Sequence, residues 1–250
     1  MNIRFFYQNR IIVFLMMVLV LLAGMSTRVF ADGSMYIDRA IVTFEPGKAS
    51  KQDVMVINTS DEPLYIQTEV LEVKKPGTSE EKREAVKDPK SVGLLATPNR
   101  FIIPPNGRKP LRIVNLKPPG NIDRIFRINI TPTLPPLTDP KNSLVRVVIA
   151  YQVLVIIQPN KPEPKLIVSP QSNTLLFENQ GNSNVLLLNG EQCDLSGEVC
   201  EKLTSRRIYA GNQWQLDLPL NGAVTYDIKS YNGVQRKTLY EPPMILKSTP

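Results

Sequence analysis

The 250-residue sequence contains no histidine. That removes Ser-His-Asp and Cys-His nucleophile systems, His-ligated zinc and imidazole acid–base chemistry. Cysteine is nearly as scarce: there are only two, Cys193 and Cys200, and structural zinc takes four ligands. Strongly amphipathic helical windows are missing. So are glycine-rich phosphate loops and paired carboxylates set in a catalytic frame, which leaves no cofactor, metal or enzyme chemistry to expect. No block of one charge sign is present either. The densest charged stretch, "KKPGTSEEKREAVKDPK", mixes both signs and reads as a solvated loop. Nucleic acid therefore has no electrostatic footprint here.

What is present begins with an export signal. "MNIRFFYQNR" is cationic, "IIVFLMMVLVLLAG" is apolar, and "VFA" ending at Ala31 has small residues where a signal peptidase reads. Residues 1–31 are expected to be a cleaved signal peptide; the rival is an uncleaved amino-terminal anchor. Without Arg4, Arg10 and Arg28, the 30 Lys+Arg fall to 27 against 23 Asp+Glu, a mild net +4. The other long apolar run, "SLVRVVIAYQVLVII" from Ser143 to Ile157, is too short to span a bilayer and carries Arg146. No stable membrane insertion is expected after signal cleavage. In an exported chain the spacing of "CDLSGEVC" points to a disulfide between Cys193 and Cys200 across a short turn, with two free thiols as the alternative.

The rest of the chain is punctuated by its 22 prolines and reads as short strands bounded by turns, an all-β pattern. "MYIDRAIVTF" and "QDVMVINTS" come first, the latter with Val54 and Val56 on one side and Met55 and Ile57 on the other. "PLYIQTEVLEV" sets Leu64, Ile66 and Val70 against Gln67 and Glu69, so one face is wet. "GLLATPNRFIIP" and "KPLRIVNL" flank a tight turn at Pro105–Arg108. "RIFRINITPT" is sixth and Ser143–Ile157 seventh. Seven strands over residues 32–157 fit one immunoglobulin-like sandwich. "QPNKPEPK" then opens a stiff linker, residues 158–164. Residues 165–250 hold seven further short runs, from "KLIVSPQ" to "KTLYEPP", that fit a second sandwich or a barrel. Asn58-Thr-Ser and Asn129-Ile-Thr match the glycosylation acceptor pattern, which is common by chance.

The seventh run poses the functional question. Val145, Val147, Ile149 and Tyr151 share one face of an extended strand; Leu144, Arg146, Val148, Ala150 and Gln152 share the other. By periodicity alone it is either a central strand buried on both faces or an edge kept apolar for another molecule.

Several stretches in order resemble the periplasmic chaperones of the chaperone–usher pilus pathway. "YIDRAIVTFEPGKASKQDVMVINTSDEPLYIQTEV" is similar to the family's first three strands. "LLATPNRFIIPPNGRKPLRIV" resembles its "ATP…L.PG…vRi" segment. "LVRVVIAYQVLVIIQP" stands where the family has the last strand of its first domain, and "TLLFENQGNSNVLLLNG" resembles the opening of its second. The resemblance implies two immunoglobulin-like β-sandwich domains joined by a short Pro-rich linker, no catalysis, and a periplasmic location. It implies pilus subunits and an outer-membrane usher as partners. Val145, Val147, Ile149 and Tyr151 would then be donor-strand residues, lent to a subunit whose own sandwich lacks a strand. The "TPTLPPLTDPKN" loop, residues 131–142, would order when a subunit arrives.

One departure stands out. The family's best-known branch holds the subunit's C-terminal carboxylate with an Arg on the first strand and a Lys on the last; those positions are Ile41 and Leu154 here. The resemblance therefore points to an alternative or archaic branch. "RIFRINI" agrees with that branch through Arg127, as does the cysteine-bearing second domain. Candidate replacement anchors are Arg127, Arg39 and Arg112, since a guanidinium offers paired donors to a carboxylate. A pilus subunit or adhesin is the alternative, and a secreted hydrolase a more distant one.

Overall fold

The structure, a computed structural model, describes residues 35–133 and 148–242. It is built of strands in four sheets. Among these residues ten strands make the first sandwich. β1 (Met35–Ile37), β3 (Lys51–Asn58), β8 (Arg108–Asn115) and β6 (Leu94–Thr97) form one sheet in the order β1-β3-β8-β6. The other sheet runs β2-β10-β9-β4-β5, from β2 (Ile41–Phe44), β10 (Tyr151–Ile157), β9 (Arg124–Thr133), β4 (Leu64–Lys74) and β5 (Lys82–Ala85), with β7 (Arg100–Ile103) also paired to β4.

Alternation explains what these sheets bury. Val54 and Val56 point inward and are fully buried while Met55 and Ile57 are not, as the pattern of "QDVMVINTS" requires. Leu64 and Ile66 likewise meet Ile103, Leu111, Ile113, Phe126, Ile128 and Ile130 in the core. Asn58 is the polar exception. Its Nδ2 donates to the carbonyls of Glu62, Ile103 and Pro104, and its Oδ1 accepts from the Ser60 N–H and hydroxyl. An amide so enclosed is a structural pin and not a glycan acceptor.

Two runs divide in ways that periodicity does not reveal, and one charged stretch hides a strand. "MYIDRAIVTF" breaks at Asp38–Ala40, where the Asp38 N–H donates to the Met55 carbonyl and its carboxylate accepts from the Met55 N–H. The chain then crosses to the opposite sheet. "GLLATPNRFIIP" does the same between β6 and β7. The charged stretch expected to be a loop contains β5, hydrogen-bonded to β4 from Leu71↔Ala85 to Lys74↔Lys82, and a one-turn helix α1 (Pro89–Val92) capped by Asp88. Its side chains are solvated, as their charge requires, but its backbone is paired.

Eight strands form the second sandwich. One sheet is β11 (Leu166–Gln171), β12 (Thr174–Asn179) and β16 (Gln213–Asp217). The other is β14 (Cys200–Leu203), β13 (Val185–Cys193), β17 (Val224–Ser230) and β18 (Gly233–Tyr240), with β15 (Arg206–Ile208) also on β13. Its own core gathers Leu175, Phe177, Val185, Leu187, Val224 and Tyr226. Trp214 stacks on Phe177 at 5.1 Å. Cys193 and Cys200 form a disulfide across the β13–β14 hairpin. Among the described residues no helix is long and apolar enough to cross a membrane.

Candidate functional site

β10 changes character along its length. From Leu154 to Ile157 it lies between two strands, parallel to β2 and antiparallel to β9. The Leu154 N–H donates to the Ala40 carbonyl at 2.9 Å and the Gln158 N–H to that of Phe44 at 3.0 Å. From Tyr151 to Val153 only β9 is paired; no strand among the described residues takes the other flank. Residues 148–150 precede the strand and are exposed, Ile149 to 44 %. Val145 and Val147 lie outside the described residues, as do residues 1–31, expected to be a signal peptide, and most of the 131–142 stretch, expected to be a loop.

Both faces of the sealed half are buried, for different reasons. Val153, Val155 and Ile157 point into the core of the first sandwich, and Tyr151 packs partly against it with its hydroxyl donating to the Met35 carbonyl at 3.0 Å. Leu154 and Ile156 point the other way. They meet Val73, Ile125 and Tyr209, the last from the second sandwich. The odd-numbered side chains are therefore one continuous stripe. Carried back through an extended segment, that stripe reaches Ile149.

On the outer face of this sheet the register stacks three rows. The first is polar: Glu69, Asn129 and Gln152 sit side by side, with Asn129 Nδ2 donating to Glu69 and Gln152 Nε2 to Asn129 Oδ1. The second runs Leu71, Arg127, Leu154, Ile41. The third runs Val73, Ile125, Ile156, Thr43 and lies under Tyr209. Ile41 and Leu154 are thus neighbours, and Arg127 is the cation beside them. It is half-buried, and among the described residues its Nε has no hydrogen-bond partner.

The other two candidate anchors lie elsewhere. Arg39 sits in the link between β1 and β2, paired with Asp38 at 3.0 Å. Arg112 is on β8, in the opposite sheet, and holds Asp53 through two hydrogen bonds of 2.8 Å. The structure does not bring the three arginines together.

The second sandwich contributes residues that carry no sequence signal. Tyr209 caps the third row, and Gly77 in the β4–β5 hairpin packs on its ring. Gly77 has φ +75°, and a Cβ there would stand 2.9 Å from Tyr209 Cδ2, so the approach requires glycine. Asn212 Nδ2 donates to the Pro76 carbonyl at 2.6 Å. Asp123 Oδ2 accepts from the Asn184 N–H and Nδ2, both at 2.6 Å, and Asn184 Oδ1 accepts from Arg207. A cavity of about 320 Å3 opens beside this contact, with Ile41, Ile156, Gln158, Asn184 and Arg207 in its wall.

The electrostatics follow from that burial. Desolvation pushes the Asp123 carboxyl above the usual carboxylate range, against the hydrogen bonds from Asn184 and the charge of Arg207. Desolvation lowers the Arg207 guanidinium, with Arg127 acting in the same direction and Tyr209 and Asp123 opposing. Burial also raises the Tyr209 hydroxyl, against Arg207 and Arg127.

Among the described residues the one cluster with metal-ligand spacing is Glu191, Cys193 and Cys200, and its sulfurs are bonded to each other.

Comparison with known proteins follows the same lines. A CS1 fimbrial protein of Escherichia coli, named as a fimbrial subunit, is 27% identical over 195 residues, covering 74% of this chain and 81% of that protein. The class 5 fimbriae chaperone CfaA superposes with a TM-score of 0.59 over 84% of this chain and all of its own (100%), at 19% identity. A chain from the Salmonella enterica SafA pilin–SafB chaperone complex gives 0.60 over 86% of this chain and 99% of its own, at 18% identity. These structural likenesses carry the two-sandwich, immunoglobulin-like fold. Residues 34–163, which contain the first sandwich, match the family model for pili and flagellar-assembly chaperones, PapD N-terminal domain. The chain belongs to that family of pilus-assembly chaperones.

Proposed function

We propose that the chain captures folded but incomplete fimbrial subunits in the periplasm by lending them the open half of its β10 segment, and passes them to an outer-membrane usher. The observation that carries this reading is the change in β10 from a strand flanked on both sides to one flanked on a single side. It occurs where an apolar stripe continues outward into exposed Ile149. A subunit that supplies the missing flank completes a row of backbone hydrogen bonds. It also buries Val145, Val147 and Ile149, each contributing roughly 1.5–3 kcal/mol when fully buried. Tyr151, tied to Met35, sits at the boundary between the lent half and the retained half. The donor thus needs no chemistry: it lowers the free energy of an unfinished sandwich and covers an edge that would aggregate.

Arg127 is the anchor this reading favours for the subunit's C-terminal carboxylate. It stands beside Ile41 and Leu154, while Arg39 and Arg112 already hold carboxylates of their own. The domain limits at 32–157 and 165–250, with 158–164 as linker, and membership of an alternative or archaic branch belong to the same proposal. It is supported by the SafB chaperone, which is found in complex with the SafA pilin.

The test is affinity capture of the tagged chain from periplasm of cells making its fimbriae, followed by mass spectrometry. Small β-rich subunits in the eluate, and absence of the chain from sheared fibres, are expected. The second reading, a structural subunit or adhesin, takes its support from the name of the Escherichia coli relative. Finding the chain as a stoichiometric component of sheared fibres would establish it instead.

A further inference from the structure

The sealed half of β10 does not specify its own register by polarity. From Val153 to Ile157 every side chain is apolar and both faces are buried, so a slip by one or two residues against β9 exchanges apolar for apolar. In the described part of the run, residues 148–157, the only polar side-chain groups are the Tyr151 hydroxyl and the Gln152 amide. Both are engaged, and both lie where the sealed half meets the open half. On the inner face the Tyr151 hydroxyl donates to the Met35 carbonyl at 3.0 Å. On the outer face Gln152 Oε1 accepts from Arg83 of β5 at 3.5 Å, and Gln152 Nε2 donates to Asn129 Oδ1 of β9 at 2.7 Å. Asn129 Nδ2 donates in turn to Glu69 of β4 at 3.1 Å. One polar ladder thus ties β10 to three other strands of its sheet.

The pairing geometry sharpens that tie. The N–H groups of Leu154 and Gln158 donate to Ala40 and Phe44, on the β2 side. Even-numbered residues of β10 are therefore non-hydrogen-bonded partners of β9, the class whose Cα atoms lie closest, about 4.5 Å apart. Gln152 stands directly against Asn129. By the same alternation its own N–H points to the flank that no described strand takes. A two-residue slip inward sets Ala150 opposite Asn129, carries Gln152 into the place of buried Leu154, and draws exposed Ile149 into the place of Tyr151. A two-residue slip outward sets Leu154 opposite Asn129. Either one breaks the ladder and the Tyr151 contact.

We propose that Tyr151 and Gln152 are positioning residues that lock the register of β10 on β9, and so fix where the retained stripe ends and the lent stripe begins. That consequence rests on the donor-strand reading; the lock itself belongs to the free chain. Asn129 and Glu69 complete it from β9 and β4.

The test is NMR of the full chain, free of any subunit. In the wild type the close Hα–Hα contacts across this pair of strands are expected to be Gln152–Asn129, Leu154–Arg127 and Ile156–Ile125 alone. Y151F/Q152V removes both ties, each worth about tenfold in the register equilibrium, the order of one hydrogen bond. A second set, Leu154–Asn129 or Ala150–Asn129, is then expected beside the first, seen directly or by saturation transfer from a minor state. Q152V and N129V should each show that set at lower and matching levels, because they break the same bond. A lowered Tm with only the wild-type set in Y151F/Q152V would overturn the proposal, since the side chains would then stabilise without choosing the register. Should Y151F/Q152V not fold, Q152V and N129V decide on the same contacts: a second set in both supports the lock, and its absence from both overturns it. No pilus protein enters the experiment, so its failure leaves the donor-strand reading standing, and a locked register in a chain that captures no subunit would sink that reading alone.

Discussion

Val155→Ala and Ile149→Ala remove apolar atoms from two positions on one stripe, six residues apart, and should have opposite consequences. Val155 is fully buried between β2 and β9. Its truncation deletes two methyl groups, worth about 0.8 kcal/mol each in transfer, and leaves a cavity; together these cost about 2–3 kcal/mol. Ile149 is 44 % exposed and lies outside any strand, so its truncation should move stability by no more than about 0.5 kcal/mol. Urea unfolding followed by far-UV circular dichroism separates the two. With a slope of about 1–3 kcal/mol/M, Val155→Ala lowers the midpoint by about 0.7–3 M, and Ile149→Ala leaves it in place. Trp214, the only tryptophan, lies in the second sandwich, so its fluorescence reports that domain independently. Subunit capture should show the reverse order, with Ile149→Ala the weaker binder. Equal destabilisation by the two changes at unchanged slope would refute the division of the strand into a retained and a lent half.

Asn58→Ala removes donors from three backbone carbonyls at a buried site and should cost about 3 kcal/mol, read as a lowered Tm; a change within experimental error would mean those carbonyls find other partners. Asp123 sets a pH dependence of known sign. Its carboxyl is raised by burial, so the folded state holds the proton more tightly than the unfolded one. Its contribution is fully present below the unfolded value of about 4 and is lost as pH rises through the folded value. Asp123→Asn should therefore flatten the stability curve from about pH 4 toward neutrality. An unaltered slope over that interval would assign the effect to another group.

Much of this architecture is legible in the chain because alternation reports burial directly. Val54, Val56, Leu64 and Ile66 announce one inward face, and the structure places them there. The splits at Asp38 and Pro98 are not legible: both halves of each run remain strand-like, and only the partner strand changes. β5 is hidden because its side chains are all solvated and its pairing uses backbone alone. The apolar even positions Leu154 and Ile156 look like a second buried face without a cause; the cause is Tyr209, more than fifty residues downstream. Arg207 and Asp123 are invisible for the same reason. A contact between sandwiches leaves no period in either. As for the seventh run, periodicity offers a central strand or an open edge, and the described part of β10 contains both arrangements, one in each half.

The decisive measurement is subunit capture by the Val147→Asp, Ile149→Asp double variant, co-expressed with the fimbrial subunits and purified from the periplasm. The account predicts a variant that folds, melts within a few degrees of the parent, and brings down no subunit. A variant that captures subunits as the parent does, or one that fails to fold because those side chains belong to its own core, would contradict it.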